Sequence, residues 1–174
     1  MENNPFSTIA IMGTQEISNL IKEQFGEEAV LRVEESGLQS AIYIDALRLE
    51  EICYYLRDQE VLYFDFLNNI SAVDLNEHGF LVTYHLTSIP YRHTVVLKIE
   101  VENDRDLNNL PEIPSVSAVW KTANWHEREA FDLMGIFFVN HPDLRRILLP
   151  DDWEGHPLRK DYQDPESYHG IAIK

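Results

Sequence analysis

Apolar residues fall at two different spacings along this chain, and the change from one to the other marks its elements. In "TQEISNLIKEQF" (residues 14–25), Ile17, Leu20, Ile21 and Gln24 share one helical face, with Thr14 placed as N-cap and Gly26 as the stop. In "ALRLEEICYYLRDQ" (46–59), Leu49, Ile52, Cys53 and Leu56 follow the i, i+3, i+4, i+7 stripe of an amphipathic helix, and Asp45 stands at its start. Elsewhere the period drops to two. "AVLRV" and "SAIYI" flank the polar "EESGLQ" and predict a hairpin leading into the second helix. "FLVTYHL" sets Phe80, Val82, Tyr84 and Leu86 against Leu81, Thr83 and His85; "TVVLKIEV" sets Val95, Leu97, Ile99 and Val101 against Val96, Lys98 and Glu100. "NISAVDL" joins the first of these strands through the turn-like "NEHG".

These elements predict an α+β fold: a mainly antiparallel sheet of about four to six strands packed with two or three helices, followed by an irregular C-terminal docking segment. "NDRDLNNLPEIPSV" interrupts the periodicity with two prolines and a polar run. The chain therefore divides into an α+β domain over 1–102, a connecting loop over 103–115, and a C-terminal helix with an extended interface segment over 116–174.

Charge narrows the function classes. Thirty acids against fourteen bases give a formal charge of −16, which repels phosphate backbones and anionic lipid headgroups and argues against nucleic acid. One cysteine allows no internal disulfide, no all-cysteine zinc site and no cysteine-ligated iron–sulfur cluster built from this chain alone. Cys53 lies on an apolar stripe, where a buried inert thiol is expected rather than a nucleophile. Apolar runs are far short of the ~20 residues of a membrane span, and the start has the features of neither a signal nor a transit peptide, so a cytoplasmic location is expected.

The chemistry-bearing residues concentrate in 124–162. Asn124 and Glu127 have capping-box spacing, with the helix running to about Met134 and stopping at Gly135. Its face of Glu127, Ala130, Phe131 and Met134 puts one carboxylate among apolar residues, while Glu127, Arg128 and Glu129 fan across about 200° of the helix. Two readings fit: a charge taken out of water and paired with Arg145, Arg146, Arg159 or Lys160, or a surface helix with a solvated acidic side. Between Pro142 and Pro150 a unit of one or two turns would present Leu144, Ile147 and Leu148 as its apolar side. The stretch beyond is irregular yet rich in Trp, Leu, Arg and Tyr, which suits a contact surface.

Sharper chemistry finds little support. "HEREA" has Ala130 where a zinc-protease helix needs its second histidine. His126, His141 and His156 recur every fifteen residues without ligand-type spacing, and paired acids such as Glu127 with Glu129 or Asp151 with Asp152 come with no inferable pocket. Nucleotide-binding and serine-hydrolase motifs are missing from the sequence.

"EREAFDLMGIFFVNHPDLRRIL" followed by "LPDDWEGHPLRKDY" resembles the signature of the C-type subunit of NADH:quinone oxidoreductase, the bacterial respiratory complex I. "YHLTS" at 84–88 and "PSVSAVWKTANWHERE" at 114–129 are similar to the same family; the match is dense over 111–162 and scattered over about 80–102. The resemblance implies a non-catalytic peripheral-arm subunit with no cofactor of its own, FMN and iron–sulfur clusters residing in partner subunits. It implies packing against the D-type subunit, the large partner that helps form the quinone pocket, and against other peripheral-arm subunits. It also implies peripheral and indirect membrane association on the cytoplasmic face of the inner membrane, and an enzyme only as part of a proton-pumping translocase. Motif positions map onto Glu127, Arg128, Glu129, Asp132, His141, Arg145 and Arg146, then the Gly155–Tyr162 run with Arg159, Lys160 and Tyr162; these and Trp153 are read as interface and assembly residues, none as catalytic, cofactor-binding or metal-binding. Twelve residues follow Tyr162, which reads as the form not fused to the D-type subunit. Two alternatives remain open: the homologous subunit of an energy-converting hydrogenase or formate hydrogenlyase, and an independent acidic hydrolase using Glu127 or Glu129.

Overall fold

The computed structural model, described over residues 11–36 and 39–173, turns the two spacings into a sheet and three helices. Helix α1 spans Thr14–Phe25. Strands β1 (Val30–Glu34) and β2 (Ala41–Ile44) pair antiparallel as the expected hairpin, of which residues 37 and 38 lie outside the described residues. Helix α2 (Leu49–Asp58) precedes β3 (Phe66–Asp74), β4 (Phe80–Ser88) and β5 (His93–Val101). The sheet order is β1-β2-β5-β4-β3. All neighbours are antiparallel except β2 and β5, which run parallel because the chain crosses over through α2 and the β3–β4 hairpin before returning beside β2.

The helix ends show which capping expectations hold. Asp45 accepts a hydrogen bond from the Leu47 N–H at 3.0 Å and starts a 3-10 turn, Ala46–Arg48, that runs into α2. Gly26 ends α1 with its N–H on the Lys22 carbonyl. Thr14, however, is not the N-cap: Gly13 is, and its N–H donates to the Glu16 carboxylate at 2.8 Å. Only the reciprocal half of a capping box is made: Glu16, at the third helical position, accepts the N–H of the N-cap residue.

One face of the sheet carries the core. The register places Tyr84 opposite Leu97, Val82 opposite Ile99 and Leu86 opposite Val95, so the even residues of β4 meet the odd residues of β5. Ile42 and Ile44 of β2, Leu67 and Ile70 of β3, and the stripes of α1 and α2 close over them in a single cluster. Each such fully buried side chain contributes roughly 1.5–3 kcal/mol. Cys53 is wholly inside this cluster, and burial pushes its thiol pKa up. The opposite face is polar. There Arg32 makes a bidentate pair with Glu100 at 2.7 and 2.9 Å, Lys98 meets Glu34 at 2.7 Å, and the Arg32 guanidinium lies over the Tyr43 ring.

The C-terminal third is built into the same core. Strand β6 (Glu112–Pro114) pairs in parallel with β7 (Phe137–Val139), and α3 (Ala123–Met134) connects them while packing against β3. Residues 103–115 are thus not loop throughout, and Ile113, Val116, Trp120, Ala130 and Phe138 belong to the same cluster as the sheet residues. The Trp120 indole N–H donates to the Phe64 carbonyl at 2.9 Å, tying the approach to α3 to the segment before β3. After β7 the chain runs in turns and bends to a short hairpin, β8 (Ser167–Tyr168) and β9 (Ile171–Ala172), that folds back onto Asp152 and Trp153.

Candidate functional site

Three buried carboxylates organise the region that the sequence singled out, each by a different device. Glu127 is fully buried on α3. Among the described residues no lysine or arginine pairs with it; instead it accepts from the Ser115 hydroxyl at 2.6 Å and the Val116 N–H at 2.7 Å, so α3 grips the end of β6. Ser115 is held in turn by Ser117 at 2.7 Å. Burial pushes the Glu127 pKa up to about 7, against the two hydrogen bonds that favour the carboxylate. The capping box is absent, because α3 begins at Ala123, leaves Asn124 inside the helix, and turns Glu127 inward. His141 lies 3.8 Å from Glu127, beyond hydrogen-bonding distance. Its Nδ1 accepts from the Asp143 N–H, which leaves the proton on Nε2, donated to the Asn124 carbonyl at 3.2 Å. Burial keeps the His141 pKa below its usual value.

Asp132 is the hub of the strap that follows. One carboxylate oxygen accepts three consecutive backbone N–H groups, from Ile147, Leu148 and Leu149, at 3.0, 2.8 and 3.0 Å. The other accepts from Arg146 at 2.7 Å. Arg146 also donates to the carbonyls of Asp132, Trp153 and Gly155. Burial alone would raise the Asp132 pKa; the N–H groups and the guanidinium together hold it lowered. These bonds also explain why no helical turn forms between Pro142 and Pro150: the N–H groups of 147–149 converge on a carboxylate rather than on carbonyls four residues back. Leu148 is consequently 61% exposed, contrary to its expected place on an apolar side.

Asp74 closes the third tie. It sits at the end of β3, 2% exposed, and takes a bidentate pair from Arg105 at 2.7 and 2.8 Å plus the N–H groups of Asn76 and Lys160, both at 2.8 Å. Burial opposes ionisation there, but Arg105 and the two N–H groups prevail and lower its pKa to about 2. Sheet edge, 103–109 loop and C-terminal strap are thereby joined at one side chain. Asp74 and Arg105 were not among the expected residues, although the alternation Ile70, Ala72, Asp74 places an acid at an inward register position.

The remaining expected residues divide between interior and surface. Arg159 is buried and pairs with Asp161 at 2.7 and 2.9 Å, whereas Lys160 contributes its backbone and leaves its side chain outside. The Trp153 indole donates to the Tyr162 hydroxyl at 3.1 Å. Glu129 is exposed. Arg145, one of the four candidate counter-charges, is not a buried one: its side chain is 69% exposed and pairs with the exposed Asp143. Arg128 is buried but reaches backbone carbonyls of Arg145 and Arg146. His156, also buried, bonds the Asp132 carbonyl and lies against Gly135, whose φ of 69° and bare Cα admit the ring. Among the described residues no set of three His, Cys, Asp or Glu side chains converges as a metal site.

The whole arrangement is one of loops pinned by buried charges, and comparison with known proteins gives it a family. A family model described as respiratory-chain NADH dehydrogenase, 30 kDa subunit, matches residues 42–168. The C-type NADH-quinone oxidoreductase subunit of Chlorobium phaeobacteroides is 39% identical, over 89% of this chain and 92% of its own. Its counterpart in Geobacter sulfurreducens is 43% identical, over 86% and 92% respectively. That of Chloroherpeton thalassium is 40% identical over 88% of this chain, which spans only 62% of that relative's length. A solved trypsin-resistant fragment of Nqo5 superposes with a TM-score of 0.56 at 27% identity, covering 74% of this chain and 99% of the fragment. The fold also occurs, at 22% identity and a TM-score of 0.68, in an archaeal membrane-bound sulfane sulfur reductase, with 86% and 85% of the two chains covered. This chain belongs to the family of the respiratory-chain NADH dehydrogenase 30 kDa subunit.

Proposed function

We propose that the chain is a structural subunit of the peripheral arm of a proton-pumping NADH:quinone oxidoreductase, holding the quinone-binding module in place and carrying no redox group itself. FMN and iron–sulfur clusters belong, on this reading, to its partners. The face made by α3 and the 140–166 strap docks on the D-type subunit, on the cytoplasmic side of the inner membrane, and membrane association is indirect. Among the described residues no helix is long and apolar enough to cross a membrane.

The observation that carries this reading is what the motif residues do. Glu127, Asp132 and Arg146 direct their hydrogen bonds at the chain's own hydroxyls, N–H groups and carbonyls. Side chains committed in this way fix the shape of a surface; a general base or nucleophile needs to be free to meet substrate. The test is affinity purification of the tagged chain from its own membranes in mild detergent, with mass spectrometry and assays for FMN, iron–sulfur signals and NADH:quinone activity. Copurification of a flavin- and cluster-bearing assembly is expected. Recovery of the chain without redox partners, or with hydrolytic activity of its own, would refute the proposal.

A further inference from the structure

Of the guanidinium groups around α3, Arg128 alone among the described residues of this region is buried without a carboxylate. Arg146 has Asp132, Arg159 has Asp161 and Arg145 has Asp143. Arg128 is 7% exposed, yet no Asp or Glu among the described residues lies within the 4.0 Å of an ion pair. Its Nε and Nη2 donate to the Arg145 and Arg146 carbonyls at 3.1 and 3.3 Å, and Nη1 bonds no described residue. Neutral carbonyls compensate such a recessed charge incompletely, and an anion would complete the arrangement. Over the same guanidinium, 5.3 Å from its carbon, lies the ring of Trp125, itself 64% exposed. An exposed indole beside a recessed arginine is the composition of an interface hot spot.

We propose that Trp125 and Arg128 form a docking site for an Asp- or Glu-bearing segment of a partner subunit, the carboxylate meeting Arg128 and the backbone around it covering Trp125. This deepens the proposed function and rests on it. A single protein carboxylate suits the site better than a phosphate-rich surface, because Glu129, one turn beyond Trp125, is exposed and the chain as a whole carries −16. Asp143 of the strap feels the Arg128 charge from beyond ion-pair distance, but its carboxylate is engaged by Arg145 at 2.9 Å.

The experiment places the photo-crosslinking amino acid benzoylphenylalanine at position 125 of the tagged full chain, irradiates native membranes, and sequences the linked peptide. The expected product is a partner-subunit peptide with an Asp or Glu within a few residues of the crosslink. Arg128→Gln should then lower partner recovery about tenfold or more. Neutralising the identified acid should give the same loss, and combining both changes little further loss. Crosslinking to lipid, to a segment without an acid, or to nothing in an assembly that still copurifies would overturn the inference and leave the assembly reading standing. If Arg128→Gln does not fold, the crosslink from position 125 still decides. If the unmodified tagged chain brings down no redox partners, the assembly reading falls and this inference with it.

Discussion

Replacing Arg146 by alanine removes four hydrogen bonds at once: to the Asp132 carboxylate, and to the carbonyls of Asp132, Trp153 and Gly155. Asp132 is wholly buried and the Arg146 side chain 14% exposed, so the change orphans a charge that little water reaches. Breaking such a pair costs about 3–5 kcal/mol. The lower end applies, because the other Asp132 oxygen keeps its three N–H donors from Ile147, Leu148 and Leu149. In a chain of 174 residues each kcal/mol is worth about 2–4 °C, so about 3 kcal/mol lowers the Tm by roughly 6–12 °C. Arg145, its neighbour, is the internal control: it pairs with Asp143 at the surface, and Arg145→Ala should leave the melting temperature unchanged within error. Thermal melts of the two purified variants beside the parent chain check this, and recovery of assembled complex should fall in the same order. Equal effects of the two substitutions, or a larger one at Arg145, would refute the account of the strap.

The other two carboxylates and the glycine under His156 give further tests. Because the folded pKa of Glu127 is raised to about 7, its neutral form stabilises the fold most below the unfolded value near pH 4–5, and that contribution is lost as pH rises through 7. Glu127→Gln should therefore gain on the parent chain by about 2–3 kcal/mol between pH 5 and pH 8 in urea melts; a pH-independent difference would contradict this. Asp74 has the opposite sign: its pKa is lowered to about 2, so its contribution is present above about pH 4 and lost as pH falls through 2. Asp74→Asn should destabilise the chain at neutral pH, expose the strap near Lys160 to limited proteolysis, and lose its disadvantage in acid. Gly135→Ala places a Cβ 2.5 Å from the His156 ring at a φ of 69°, whereas Gly170→Ala at φ 78° meets no atom within 4 Å. Both carry the backbone strain of the left-handed region, so the excess loss of Tm at Gly135, read by calorimetry, isolates the clash with His156.

The α+β class and the elements of the sheet were legible because periodicity reports burial directly. Phe80, Val82, Tyr84 and Leu86 can share a face in only one way, and the helix stripes of Leu49, Ile52, Cys53 and Leu56 likewise admit one buried side. Caps were less legible. Thr14 and Asn124 have the right chemistry for N-caps, but the helices start earlier than those residues: after Gly13, which is extended, and after Thr122, whose backbone is already helical. The parallel pairing of β2 with β5 could not be read from the spacing, since β2 is only four residues long and buried throughout, and its pattern does not report the direction of its neighbour.

Glu127 shows how far spacing can take a polar residue and where it stops. Its place among Ala130, Phe131 and Met134 left two readings open, a carboxylate taken into the core or one on a solvated side, and it lies in the core. An arginine partner was the natural inference because a buried charge needs compensation. What the spacing could not convey is that the charge itself can be withdrawn: with Ser115 and Val116 as its hydrogen-bond partners and a pKa near 7, Glu127 is within reach of the neutral form at neutral pH. The arginines nearby were therefore released for other tasks, Arg146 for Asp132 and Arg128 for carbonyls of the strap. Residue types and spacing assign opposite charges to one another by supply; the fold assigns them by which lone pairs remain unfilled once the backbone has been placed. Asp132, filled mostly by N–H groups, needs one arginine, and among the described residues around α3 Arg128 is the buried arginine left without a carboxylate of its own.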